Sequence, residues 1–264
     1  MNVETKDSWI RTEHGALFAR CWTSPDPAIQ DAPIVLLHDS IGCVELWRGF
    51  PAALAAATRR TVIAYDRLGF GRSDPHPGRL DIDFIRDEAH TWFPLVRAHF
   101  GFDAFVALGH SVGGIMATYC AARYGGACQA LVTESAQTFA EDRTLDGIRA
   151  AKEQFQQPEH FQRLERYHGD KTSWVLDAWI NTWLSPEFAS WSLNDVLPQV
   201  RCPTLAIHGT EDEYGSTVHP ERIVRSVAGP AELALMTGVR HVPHREREPE
   251  VASLVARFLD KLAK

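Results

Sequence analysis

Across its 264 residues the chain has no apolar run near the ~18 residues that a membrane span needs. Met1–Ile10 lacks the basic and apolar blocks of a signal peptide. Cysteine is scarce: Cys21, Cys43, Cys120, Cys128 and Cys202 are odd in number and nowhere take a metal-ligand spacing, so reduced thiols and no metal are expected. Positive charge is also short, with 27 Lys and Arg against 34 Asp and Glu, a formal net charge of −7. Nucleic acid and anionic membrane surfaces favour a basic face, so neither is expected as a partner. Polyanionic substrates are disfavoured too, unless a local basic pocket overrides the global field. Internal repeats and low-complexity segments are absent. These absences leave a soluble, cytoplasmic protein that acts on a small molecule without a cofactor.

With 45% hydrophobic and 23% charged residues, the chain has the balance of an ordinary globular protein. It is long enough to bury roughly three quarters of its unfolded surface without a disulfide or metal staple. Short apolar runs alternate with longer helical patterns, which predicts an α/β fold with a mostly parallel sheet. Ser8–Thr12 and Ala16–Trp22 read as an opening antiparallel pair. Ile34–Leu37, Val62–Tyr65, Phe105–Leu108, Ala130–Thr133, Thr204–His208 and Glu232–Met236 continue the sheet. Helical patterns cover Leu46–Ala57, Ile82–Phe100 (with a kink expected at Pro94) and Glu248–Lys261. Ser24–Pro33, with three prolines, reads as a loop. From 136 to 198 only helical periodicity is visible, and Val175, Trp179 and Trp183 fall on one helical face there. This stretch reads as a helical cap inserted between core segments 1–135 and 199–264.

One short motif carries chemistry. Gly109-His110-Ser111-Val112-Gly113 follows the strand Phe105–Leu108 and precedes a helical pattern. A serine on a strained strand-to-helix turn tolerates no side chain two positions to either side, and the helix aims its positive end at the reacting centre. Such a serine needs a positioned base, and the base needs a carboxylate to hold its tautomer. Gly209-Thr210-Glu211-Asp212 follows one late strand, and Gly238-Val239-Arg240-His241 follows the next. Glu134 is a rival acid and His244 a rival base. His110, next to the serine, should point away from it; His38 and His208 read as structural, and His219 as a surface loop residue.

These motifs, with Leu37-His38-Asp39-Ser40-Ile41-Gly42 and Tyr65-Asp66-Arg67-Leu68-Gly69-Phe70-Gly71-Arg72-Ser73-Asp74, resemble the α/β-hydrolase superfamily in order and spacing through nearly the whole chain. The resemblance implies an α/β-hydrolase fold: a mostly parallel eight-stranded sheet, flanking helices and a helical cap insertion. It implies a catalytic triad of Ser111, Asp212 and His241, with oxyanion donors at Ser40 and Val112. It places Asp66 and Arg67 as architectural. One departure stands out, because Asp39 replaces the glycine usual in that loop. Either it accepts backbone N–H bonds that fix the loop, or it faces the substrate. The Ser40-Ile41-Gly42 form, followed by Trp47, also resembles enol-lactone hydrolases. A serine at the elbow speaks against relatives with an Asp or Cys nucleophile. The expected activity is hydrolysis of an apolar ester or lactone, with Trp179 and Trp183 in the substrate pocket. Carbon–carbon bond hydrolysis and a slow-turnover ligand receptor on the same fold are the alternatives.

Overall fold

The computed structural model describes residues 3–24 and 32–262. Most of the loop expected at Ser24–Pro33 lies outside them. The chain opens with β1 (Glu4–Thr12) and β2 (Gly15–Thr23), then β3 (Ile34–Leu37), α1 (Phe50–Thr58) and β4 (Val62–Tyr65). Next come α2 (Phe84–Asp87), α3 (Phe93–Phe100), β5 (Phe105–His110), α4 (Val112–Tyr124) and β6 (Cys128–Glu134). Three helices follow without a strand between them: α5 (Asp142–Phe155), α6 (Pro158–His168) and α7 (Thr172–Trp183). The chain closes with β7 (Thr204–Gly209), α8 (Val218–Ser226), β8 (Ala231–Met236), α9 (Pro243–Glu246) and α10 (Glu248–Leu262).

The described strands form one eight-stranded sheet in the order β1-β2-β4-β3-β5-β6-β7-β8. β1, β2 and β4 pair antiparallel in succession, and every later pairing is parallel. The central strands are apolar throughout because both faces are covered. Alternation splits them between two cores. Val35 and Leu37 pack on the face that carries α3 and α4, while Ile34 and Leu36 face α1 and α10. The chain leaves β3 toward β4 and returns to β5 on the other side of β3. Strand order therefore reverses between β3 and β5, and a crevice opens at their carboxyl ends.

The helix expected over Ile82–Phe100 is present but interrupted. A five-residue π-turn, Glu88–Trp92, separates α2 from α3, and Pro94 sits in the first turn of α3. Proline lacks an N–H, and the first turn of a helix has no acceptor to offer one, so the expected kink becomes a wider turn just upstream.

Asp66, just past β4, ties the loops of the carboxyl edge together. Its Oδ1 accepts from Val44 N at 2.5 Å and its Oδ2 from Arg72 N at 2.7 Å. Gly71 (φ 48°) packs so closely that a Cβ there would lie 2.1 Å from Asp66 Oδ2. Removing the carboxylate leaves two N–H groups without their acceptor, so Asp66→Ala should cost about 2 kcal/mol at pH 7. Burial raises the Asp66 carboxyl from 3.8 to about 6, so the folded state holds its proton more tightly than the unfolded one. The contribution of Asp66 to stability therefore falls as pH rises from about 4 to 6. Urea unfolding should show a larger deficit for Asp66→Ala at pH 4 than at pH 7; an equal deficit would mean that Asp66 does not titrate in this window.

Candidate active site

Ser111 lies at the crevice, between β5 and α4, with φ 54° and ψ −125°, a conformation that side chains rarely adopt. Its N–H donates to Glu134 O at 2.8 Å, which locks the turn to β6. The flanking glycines are required by contact. A Cβ on Gly109 would lie 2.0 Å from Gly113 O, and one on Gly113 would lie 2.0 Å from Leu37 O. Val112 is the first residue of α4, so its N–H has no intrahelical acceptor. Ser40, in the loop after β3, lines the same cavity as Ser111.

The ends of β7 and β8 bring Asp212 and His241 together. His241 Nδ1 is 2.9 Å from each oxygen of the Asp212 carboxylate. Tyr214 N donates to Asp212 Oδ1 at 2.7 Å, and Arg143 of α5 donates to Asp212 O at 3.1 Å. Burial opposes the charge on Asp212, but the His241 ring, the nearby His208 and the Tyr214 amide outweigh it and hold the carboxyl at about 2. His241 and Ser111 open onto one cavity of about 330 Å³. Asp39, Trp179 and Trp183 also line it, with apolar walls from Ile148 and Leu164. Val175, on the same face of α7 as the two tryptophans, is fully buried.

The rival acid and the rival base pair with each other. His244 donates its backbone N–H to Glu134 Oε1 at 2.6 Å, and its Nδ1 lies 3.0 Å from both carboxylate oxygens. Burial favours a neutral His244, which wedges beside Trp47 and Phe50. Neither Glu134 nor His244 lines the main cavity.

Asp39 ties the loop and also borders the cavity. Its Oδ1 accepts from Ile41 N at 2.9 Å, which fixes the loop, yet its side chain also reaches the cavity. Its Oδ2 is 3.3 Å from His110 Nδ1, and His110 Nε2 donates to His241 O at 2.8 Å. His110 does point away from Ser111, into this bridge. Burial opposes charge on both groups, but their pairing prevails, raising His110 above its usual value and lowering Asp39. The result is a buried ion pair that links the β3 loop to the backbone of His241.

His38 and His208 are structural as expected. His38 Nε2 accepts from Arg67 N at 3.1 Å, and His208 Nε2 donates to Gly215 O at 3.0 Å. His219, expected on a surface loop, is instead fully buried on α8. Its Nδ1 accepts from Thr138 N at 3.1 Å and its Nε2 meets Glu141 Oε2 at 3.1 Å, so it anchors the segment leading into α5. Sequence reasoning missed His168 entirely. At the end of α6 it donates from Nε2 to Ile41 O (2.9 Å) and accepts at Nδ1 from Gly71 N (2.9 Å). Lys171 donates to Gly71 O at 2.7 Å beside it. These bonds span about a hundred residues, and no local pattern announces them.

The sheet order, the elbow and the flanking helices define an α/β-hydrolase. The sequence matches the family described as alpha/beta hydrolase fold over residues 32–173, more than half of the chain, and the chain belongs to that family. Among curated proteins it is similar to the serine hydrolase BPHL of Mus musculus, 29% identical over 212 residues that cover 76% of this chain and 70% of that protein. A shorter stretch of 107 residues is 36% identical to the (lyso)-N-acylphosphatidylethanolamine lipase of Bos taurus, covering 40% of this chain and 31% of that one. Among solved structures, proline iminopeptidase from Mycobacterium smegmatis superposes with a TM-score of 0.74 at 22% identity, covering 97% of this chain and 98% of that one. A thermophilic esterase from Thermogutta terrifontis gives 0.72 at 19% identity, covering 98% and 100%. At these identities the structures show the fold alone.

The Glu134–His244 pair gives a test of its own. Glu134→Ala strips the acceptor from a buried ring N–H and a buried backbone N–H, so urea unfolding should show a loss of about 3 kcal/mol. Unchanged stability with abolished turnover would instead make Glu134 the acid of the site.

Proposed function

We propose that the protein hydrolyses a carboxylic ester or lactone through an acyl-enzyme on Ser111, with His241 as general base and Asp212 as the acid that orients it. The observation that carries this reading is the buried Asp212 carboxylate, 2.9 Å from His241 Nδ1 through both oxygens, behind a cavity that His241 shares with Ser111. With Nδ1–H donated to Asp212, the other ring nitrogen is free to accept the serine proton. Ser111 Oγ attacks the carbonyl, and His241 passes the proton to the departing alcohol. Water then enters, gives a proton to His241 and attacks the acyl carbon, and His241 returns that proton to Ser111 Oγ as the acid leaves. The amides of Ser40 and Val112 are assigned to the oxyanion that forms in each half-reaction.

Asp39 bears on this assignment, because a bare carboxylate one residue from Ser40 would oppose the oxyanion. At about 5 Å and an effective dielectric near 20, two like charges repel by roughly 3 kcal/mol. Its pairing with His110 supplies the compensating charge. Residues 136–198 form the proposed cap over a core of 1–135 and 199–264. The cap's Trp179 and Trp183 form part of the pocket for the acyl or alcohol group. The names of the similar curated proteins, a serine hydrolase and a lipase, support this chemistry.

A fluorophosphonate probe should label Ser111 stoichiometrically, and Ser111→Ala should abolish both labelling and turnover. His241→Ala should lower kcat by about 10³-fold or more, and Asp212→Asn by somewhat less, because much of the geometry survives. Steady-state kinetics on a chromogenic ester checks both; a mild His241→Ala beside a severe His244→Ala would overturn the choice of base. Trp183→Ala should shift chain-length preference toward longer esters in a panel of p-nitrophenyl substrates. A lower melting temperature with unchanged preference would make Trp183 a packing residue only.

A further inference from the structure

The cavity differs in charge from the chain around it. The protein carries −7, yet Asp39 is the one carboxylate among the described residues that line this cavity. That carboxylate is already matched by His110 and the Ile41 amide. Two guanidiniums, Arg163 and Arg245, also line the cavity, and neither has a carboxylate partner within 4.0 Å among the described residues. Arg245 donates to Leu46 O and lies in the field of the Asp39 carboxylate without contacting it, whereas Arg163 has no such neighbour among the described lining residues.

The placement of Arg163 follows from the register of α6. His160, Arg163, Leu164 and Tyr167 line the cavity, the i, i+3, i+4, i+7 pattern of one helical face. The acids of the same helix, Glu159 and Glu165, lie on its exposed face and outside the cavity lining. The inner face is therefore cationic and apolar, while the acids are turned away. His168 fixes the end of this helix to Ile41 in the loop that carries Ser40. Arg163 is five residues before His168, roughly 7.5 Å back along the helix axis. Between the two, Leu164 and the ring of Tyr167 form the wall.

We propose that the site selects esters bearing a carboxylate at the end remote from the scissile bond, and that Arg163 reads that carboxylate. This rests on the ester-hydrolase reading above. Arg245 adds to the positive potential at the catalytic end, where Asp39 is neutralised. An apolar spacer of several methylenes spans the wall between. Arg163 is exposed at the rim, so its contribution is that of a partly solvated ion pair and weakens with salt.

The test compares matched esters: p-nitrophenyl hexanoate with the p-nitrophenyl monoester of adipic acid, and hexyl acetate with 6-acetoxyhexanoate. Each pair differs in a terminal methyl or carboxylate, on the acyl side in the first and the alcohol side in the second. In at least one pair, Arg163→Gln should lower the anionic-to-neutral ratio of kcat/KM by about fivefold, mainly through KM. In that pair the wild-type preference should shrink in 0.5 M NaCl. Arg166→Gln, on the same helix but outside the cavity lining, should keep the wild-type ratio. An unchanged ratio in Arg163→Gln, or an equal fall in Arg166→Gln, overturns the inference and leaves the ester reading standing. If the wild type turns over none of the four esters while Ser111 still takes the fluorophosphonate, the ester reading itself falls, and the inference with it.

Discussion

The strained turn at Ser111 is the constraint around which the carboxyl edge is organised. A serine at φ 54° persists only where its surroundings over-determine it, and here they do. The Ser111 N–H is held by β6, Gly113 sits against the end of β3, and Gly109 against the first turn of α4. Three segments thus meet with no room for one extra methyl group. The reversal of strand order between β3 and β5 makes that meeting possible, because it opens a crevice into which a side chain can project.

Around that turn, buried histidines act as cross-links. His110, His168, His219 and His244 each use both a hydrogen-bonding ring and a fully enclosed position to join loops that are far apart in the chain. A neutral imidazole suits this work, since it donates from one nitrogen and accepts at the other, satisfying two buried partners at once. Burial keeps His168 and His219 near 4, well below neutral pH. His110 differs because Asp39 faces it, and the pair carries its charges together. The carboxyl edge is therefore stiffened by polar bridges, and residues of α5, α6 and α7 line the cavity beside it.

The same arrangement decides the field inside the cavity. A net acidic chain presents a cavity whose single lining carboxylate is spoken for, while two guanidiniums face it without acidic partners among the described residues. Global charge governs encounter in bulk solution, but the few charges nearest a low-dielectric pocket govern what settles there.

The strands were legible in the sequence because a buried strand is a local fact: a short run of apolar residues bounded by turn formers. Ile34–Leu37 and Val62–Tyr65 have the same ends in sequence and structure, and the others differ by a few residues at most. Superfamily membership was legible as well, since the elbow glycines and the loops after the strands are short-range patterns. The π-turn before Pro94 was not, because proline marks where a donor is missing without saying how the backbone will accommodate it. Two acids and two histidines stood in comparable positions, and only the order of β6, β7 and β8 set Asp212 against His241 and Glu134 against His244. His219 went inside because α8 packs over Thr138, a partner 81 residues away. His168 found Ile41 across 127 residues for the same reason. Local periodicity fixes what each segment becomes; which distant side chains share a hydrogen bond depends on how the crossovers stack, and that is decided only when the sheet closes.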